Sequence, residues 1–200
     1  MVSLEQKITL QYYNDNAQSF AQNTQQVNFH CLQQEFLKYI PIGGSILDFG
    51  CGAGRDSRYF LSKGYQVQAV DGAEQLALLA EKYIQQGVLC QSFLDFSETD
   101  AYDGVWACAS LLHLPWYELR LVLSKLANSL HNDGIFYASF KYGDFAGIRN
   151  GRYFTDMTEA RWQELMQDFD AWVVLKLWIT TDVREGRSDE RLLNILCKKR

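Results

Sequence analysis

Long apolar runs, paired cysteines, prolines and a basic excess are all missing from this 200-residue chain. Its apolar stretches break off well short of the roughly 18 to 20 residues that a membrane-spanning helix needs, and residues 1–20 are too polar for a signal peptide. A cytoplasmic protein with no membrane contact is therefore expected. There are only two prolines, no Ser/Gly/Pro-rich linker and no internal repeat, so residues 1–200 read as one domain. Acidic residues outnumber basic ones 24 to 19, giving a net charge of -5, which argues against broad contact with a nucleic-acid backbone. The one dense basic run, Lys198, Lys199 and Arg200, reads as a solvated terminus. Five cysteines, at 31, 51, 90, 108 and 197, show no Cys-x-x-Cys spacing, so free thiols are expected, with no disulfide framework and no metal. A monomer or homodimer is expected.

Apolar residues are plentiful, 48% of the chain, enough for a core of ordinary size. Their periodicity predicts two helices within residues 4–40, joined by an Asn/Gln-rich connection over 14–28. A buried strand follows at 45–49, ending in glycines, then a helix over 55–63 stopped at Gly64. The cycle repeats with a strand at 67–70, a helix at 73–85, and strands at 89–92 and 102–109. A helix over 115–130 then opens on Pro115, which suits a first turn, and a strand follows at 135–140. Such alternation makes a parallel sheet covered on both faces. After a helix over 159–168, two apolar runs, 172–183 and 192–197, are joined only by the polar loop 184–190, so they should pair antiparallel.

The segment Ile46-Leu47-Asp48-Phe49-Gly50-Cys51-Gly52-Ala53-Gly54-Arg55 places three glycines where a strand turns into a helix, letting a ligand approach the backbone. Arg55 stands where the dinucleotide fingerprint G-x-G-x-x-G requires glycine, and no Gly-Lys-Ser/Thr is present, so pyrophosphate is a poor guest. Asp48 beside the turn would repel phosphate and favour a cation. S-adenosylmethionine carries an ammonium and a sulfonium and no phosphate. Asp71, about 20 positions on, can accept bonds from both ribose hydroxyls at the tip of the second strand; it can equally be a helix N-cap.

On these residues the chain resembles the class I S-adenosylmethionine-dependent methyltransferases from about residue 12 onward. Their motif D-x-G-x-G-x-G is matched by Asp48, Gly50, Gly52 and Gly54, their second acidic motif by Asp71, and an acidic–apolar pair after the third strand by Asp95 and Phe96. The resemblance implies a Rossmann-like three-layer α/β sandwich with a mostly parallel seven-stranded sheet, order 3-2-1-4-5-7-6, and residues 1–40 as an N-terminal helical lid on a single methyltransferase domain. It implies S-adenosylmethionine as cofactor, held by Tyr13, Asp48, Gly50, Cys51, Gly52, Arg55, Asp71, Gly72, Ala73, Asp95, Phe96, Ala109 and Ser110, with Phe96 also readable as core. The run Gly52-Ala53-Gly54-Arg55-Asp56-Ser57 followed by Gly64-Tyr65-Gln66-Val67 is similar to the small tellurite-resistance-type methyltransferases.

The acceptor is less legible. The loop Cys108-Ala109-Ser110-Leu111-Leu112-His113-Leu114-Pro115-Trp116 lacks the Asn/Asp-Pro-Pro-Tyr/Phe of enzymes methylating exocyclic amines and the Pro-Cys of cytosine C5 enzymes. His113 is its one ionisable group, readable as a general base or as a fixture of the turn. Tyr13, beside Tyr12, is a second catalytic candidate whose ring can attract a cation and close over the sulfonium. Lys141, Arg149 and Arg152 among aromatics suit an anionic substrate, or else bridge Asp144 and Asp156. A small-molecule methyltransferase is the expectation; an enzyme acting on transfer RNA or protein, or a non-catalytic cofactor-binding module, is the alternative.

Overall fold

The central strands are short apolar runs whose successive side chains enter two different cores, which is what a sheet buried on both faces demands. In the computed structural model, which describes residues 3–200 except 168, 185 and 188, the first strand is β1 (Ser45–Phe49). Ile46 packs into one cluster with Phe36 and Phe60, while Leu47 and Phe49 pack into another with Leu119, Val122 and Trp162. The same alternation holds in β4 (Tyr102–Ala107) and β5 (Leu130–Lys141): Trp106, Ile135 and Tyr137 face the first core, and Val105, Ala107, Phe136 and Ala138 the second.

Between these strands lie α4 (Arg55–Ser62), β2 (Gln66–Asp71), α5 (Glu74–Ile84), β3 (Val88–Cys90) and α6 (Trp116–Ser129). Pro115 is the N-cap of α6. The chain ends with a hairpin, β6 (Ala146–Arg149) and β7 (Arg152–Thr155), then α7 (Glu159–Met166), β8 (Trp172–Thr181) and β9 (Arg191–Lys199). The expected end of α7 at Asp168, and parts of the loop 184–190, lie outside the described residues. The main sheet runs β3-β2-β1-β4-β5-β9-β8, with β9 antiparallel to β5 and to β8 and every other pairing parallel. Counting only the strands of this sheet, that is the expected order 3-2-1-4-5-7-6. The departure is the separate β6–β7 hairpin. Its turn, Asn150-Gly151, has positive φ at both residues (51° and 75°), the conformation that tight two-residue hairpins favour.

The N-terminus also differs from expectation, holding three helices: α1 (Leu4–Asp15), α2 (Ala17–Thr24) and α3 (His30–Leu37). The Asn/Gln-rich stretch is not a plain connection. Ala17, Ala21 and Thr24 share one helical face and are buried, and α2 packs on α5. The segment divides by what it buries. Helices α1 and α2 bury small or polar residues, Gln6, Thr9, Ala17, Ala21 and Thr24, whereas α3 and the turn after it put Phe36 and Ile40 into the core beneath β1 and β4. Only residues 4–24 are thus free of the main core, not the whole of 1–40. Among the described residues no helix is long and apolar enough to cross a membrane.

Gly104 on β4 lets α3 lie close. A β-carbon there would meet Ile40 Cδ1 and Phe36 Cζ at 2.6 Å each. Gly104→Ala should therefore cost about 1 to 3 kcal/mol of stability through overpacking, read as a lowered urea midpoint at unchanged m-value. An unchanged midpoint would mean that α3 is not tightly seated.

Candidate functional site

A cavity opens where the carboxyl ends of β1, β2 and β4 meet, the place at which open α/β sheets bind ligands. Its floor is the glycine turn. Gly50 and Cys51 amides both donate to the Val70 carbonyl, at 2.8 and 2.9 Å, so the turn wraps the end of β2. Gly50 has φ +88°, and a β-carbon on it would collide with the Ser110 side chain. Ser110 in turn donates its hydroxyl to the Phe49 carbonyl at 2.6 Å, joining the β1 and β4 loops.

Asp71 lines the cavity and is fully engaged from below. Its Oδ2 accepts from the Gly52 amide and its Oδ1 from the Ala73 amide, each at 2.8 Å. Burial raises its pKa to about 6, against the lowering effect of those amides. Ala73, not Asp71, is the N-cap of α5, so Asp71 braces the turn and leaves its remaining lone pairs to the cavity.

Several expected cofactor residues line the cavity with it: Tyr13, Gly50, Cys51, Gly52, Arg55, Gly72, Ala109 and Ser110. Four do not. Asp48 is buried behind the turn and accepts from Ser57 Oγ at 2.5 Å. Its burial, then the nearby Asp56 carboxylate, push its pKa up to about 8, so it offers the cavity no negative charge at neutral pH. Ala73 is buried beneath the turn. Asp95 is exposed, and Phe96 is wholly buried against Phe49, because the chain after β3 turns at Ser92, whose carbonyl accepts the Asp95 amide at 3.0 Å. Ser92 and Phe93 take the cavity wall instead, Phe93 stacked on Phe49 at 4.2 Å.

Arg55 spends its charge on Asp56 through two bonds of 2.8 and 2.7 Å, and its guanidinium lies 3.6 Å over the Phe29 ring. Burial alone would raise Asp56, but Arg55 foremost, with Trp106 Nε1 and Gln33 Nε2, holds it below the usual carboxylate range. This side of the cavity is a buried polar network, in which Gln33 Oε1 has no partner among the described residues.

The roof comes from α1 and α2, with Gln6, Thr9, Tyr13, Phe20 and Thr24 on the lining. None of these except Tyr13 was expected at the site; α2 itself was hidden in the Asn/Gln-rich stretch. Tyr13 is tied across the cavity to His113, Oη to Nε2, at 2.8 Å, and His113 Nδ1 lies 2.6 Å from the Tyr153 carbonyl. A carbonyl only accepts, so Nδ1 carries the proton and Nε2 accepts from the tyrosine hydroxyl. Arg152 Nη1 donates to the same Tyr13 oxygen at 3.3 Å. Burial drives the His113 pKa down to about 3, helped by Arg152, Lys141 and Arg149, so the imidazole is neutral with its basic lone pair occupied. Burial likewise raises Tyr13, opposed by Arg152.

The hairpin arginines part ways. Arg149 makes a two-bond ion pair with Asp156, at 3.0 and 2.9 Å. Arg152 has no carboxylate partner among the described residues; it sits 4.6 Å over Tyr12 and 5.1 Å over Phe154 and lines the cavity. Lys141, Arg184 and Arg187 line the same end, the last two from the loop read only as polar. The five cysteines are free, and no group of three or more His, Cys, Asp or Glu side chains suited to a metal occurs among the described residues.

A sequence profile described as "Methyltransferase domain" matches residues 46–134, from β1 to the start of β5. No curated protein matches the chain. Among solved structures, the 1,6-didemethyltoxoflavin-N1-methyltransferase of Burkholderia thailandensis, holding its substrate and S-adenosylhomocysteine, superposes with a TM-score of 0.76 at 18% identity, over 100% of this chain and 92% of that one. Magnesium protoporphyrin IX methyltransferase of Synechocystis PCC 6803, also with S-adenosylhomocysteine, gives 0.72 at 18% over 98% and 100%. TehB of Haemophilus influenzae gives 0.72 at 14% over 92% and 67%. At these identities the superpositions establish a shared fold, while the profile covers the strand, glycine turn and acidic residue that form the cavity floor. Residues 46–134 thus match a methyltransferase domain, and the chain as a whole has the fold of the S-adenosylmethionine-dependent methyltransferases.

Proposed function

We propose that this protein is an S-adenosylmethionine-dependent methyltransferase that methylates a small molecule inside a roofed cavity. The observation that carries the reading is the closure of the cavity by α1, with Tyr13 hydrogen-bonded to His113 across it, which leaves an enclosed space beside the glycine turn. Two structural neighbours named for small acceptors, a toxoflavin precursor and a porphyrin, are consistent with it. A single domain working in the cytoplasm is part of this reading; among the described residues no helix is long and apolar enough to cross a membrane.

The donor set fits the cofactor. Asp71 would accept from the ribose hydroxyls, the backbone of Gly50 to Gly52 would approach the amino-acid portion, and Ser92 and Phe93 would flank the adenine in place of Asp95 and Phe96. When bound, the cofactor supplies an electrophilic methyl group on a sulfonium. The chain's own contribution is to exclude water, align the acceptor and keep a hydroxyl beside it. Tyr13 is that hydroxyl. His113 and Arg152 are positioning residues that fix its proton and its lone pair, and a neutral imidazole with Nε2 filled does not act on the acceptor directly. Residues 4–24 form the lid; α3 belongs to the core.

Three outcomes test this. Asp71→Ala should weaken S-adenosylhomocysteine binding by roughly 1.5 to 3 kcal/mol, the scale of hydrogen bonds to a charged group, with a native circular dichroism spectrum; unchanged affinity in a folded variant would confine Asp71 to bracing the turn.

The same affinity should depend on pH. Binding to the carboxylate requires ionised Asp71, whose pKa is about 6, so affinity rises with pH through that value and levels off above it. About tenfold weaker binding at pH 5 than at pH 7 is expected from one proton. A flat calorimetric profile over that span would remove the carboxylate from the contact.

Limited proteolysis should cut between residues 14 and 28 in the free protein, and S-adenosylhomocysteine should protect that segment, because α1 and α2 bury little apolar surface of their own. Equal cleavage with and without ligand would show that the roof does not move.

A further inference from the structure

The cavity has two ends of different charge. At the glycine turn the lining carboxylates are Asp71 and Asp56, the latter paired with Arg55; toward Tyr13 and His113 the lining cations are Lys141, Arg152, Arg184 and Arg187. These come from separate parts of the fold: the end of β5, the start of β7, and the loop between β8 and β9. Among the described residues, two carboxylates pair with these cations: Asp182 is bound by Arg184, with Nε 2.9 Å from Oδ1, and Glu190 is shared between Lys141 and Arg187, the latter at 3.8 Å. Arg152 has no carboxylate partner among the described residues, and its Nε is buried without an acceptor. In a chain of net charge -5, a cavity end lined by four cations, with Arg152 among them unpaired with any described carboxylate, is a local reversal that composition does not explain.

The arrangement also costs stability. Arg152 is the cross-strand partner of Arg149 in the hairpin, and like charges directly opposite each other destabilise a strand pair. Asp156 relieves Arg149 but not Arg152. The surplus charge shows elsewhere too: burial first, then the neighbouring Arg149, Arg184 and Arg187, lower the Lys141 pKa to about 8. S-adenosylmethionine carries an ammonium, a sulfonium and one carboxylate, net +1, so its binding does not lower the total positive charge of the cavity.

Resting on the methyltransferase reading, we infer that this end of the cavity binds an acceptor through an anionic group, a carboxylate or phosphate, with Arg152 as its principal uncompensated partner. The acceptor's anion then offsets both the cationic wall and the sulfonium, and holds the molecule with its remaining part among Tyr13, Phe20 and Phe29. Guanidinium groups suit such anions because their planar N–H donors match paired oxygens. Arg152 is a specificity-determining residue in this scheme, and Tyr13, to which it donates, lies between the anion and the cofactor end.

The test is calorimetry on the S-adenosylhomocysteine-loaded protein with three aromatic probes of similar size: benzoate, phenyl phosphate and neutral benzamide. At least one anion should bind ten times more tightly than benzamide, and the preference should shrink as salt rises; which anion wins identifies the group. In Arg152→Gln the preference should fall to about twofold while benzamide affinity stays as in the parent, a pattern that general damage to the cavity would not give. Arg152→Lys should restore part of it. Equal binding of all three probes, no binding of any, or an intact preference in Arg152→Gln would overturn the inference without touching the methyltransferase reading. Failure of the parent protein to bind S-adenosylhomocysteine would overturn both.

Discussion

Asp71 is the residue on which the site depends. It ends β2, and its two oxygens accept the amides of Gly52 and Ala73, one from the glycine turn and one from the turn into α5. Amides held by a carboxylate make stronger bonds than neutral pairs, so one buried side chain fixes two backbone turns at once. The fold pays for this in desolvation, visible in a pKa near 6 despite the stabilising amides. The glycines answer the same constraint: only a residue without a β-carbon can follow β1 at φ +88° against Ser110 and still reach the Val70 carbonyl.

A second tier of buried charge supports the opposite wall. Asp56 accepts from Arg55, Trp106 and Gln33, and Trp106 in turn stacks on Tyr137 at 4.0 Å. A buried ion pair of this kind contributes little net stability by itself, but losing one member would strand the other. Its consequence for the site is that Arg55 is a wall, with its charge cancelled and its face against Phe29. Of the cations around the cavity, it is Arg152 of the hairpin that has no carboxylate among the described residues and remains available to a ligand.

The parallel half of the sheet was legible in the sequence because each strand is buried on both faces and reads as an apolar run closed by glycine or a polar turn. Gly64 at φ +85° stops α4 as its position predicts, and the antiparallel pairing of the last two runs followed from the lack of a helix between them, whereas the strand order came with the family resemblance. What was illegible had weaker physics behind it. Helix α2 buries alanines and a threonine beneath an Asn/Gln-rich surface, so its apolar stripe is too faint to stand out. The hairpin carried a clear signal in Asn150-Gly151 that was outweighed by the glycines around it. The acidic–aromatic pair was misplaced by three residues because β3 is short, and the turn at Ser92 brings Ser92 and Phe93, not Asp95 and Phe96, to the cavity.

The same distinction explains why the cofactor end was more readable than the acceptor end. Asp48, the glycines and Asp71 lie within one βαβ unit, so their separation along the chain nearly fixes their separation in space. The end proposed to hold the acceptor is assembled from α1, the loop after β4, the hairpin and the β8–β9 loop, over more than 170 positions from Tyr13 to Arg187, and no local spacing encodes their meeting. Two arginines three residues apart show the limit. From sequence Arg149 and Arg152 are equivalent, and each could bridge an acid or face a substrate. The hairpin register decides between them: it turns Arg149 toward Asp156 and Arg152 toward Tyr12, Tyr13 and the cavity. Here the chemistry of the site is set by a strand pairing, and the residue types alone leave it open.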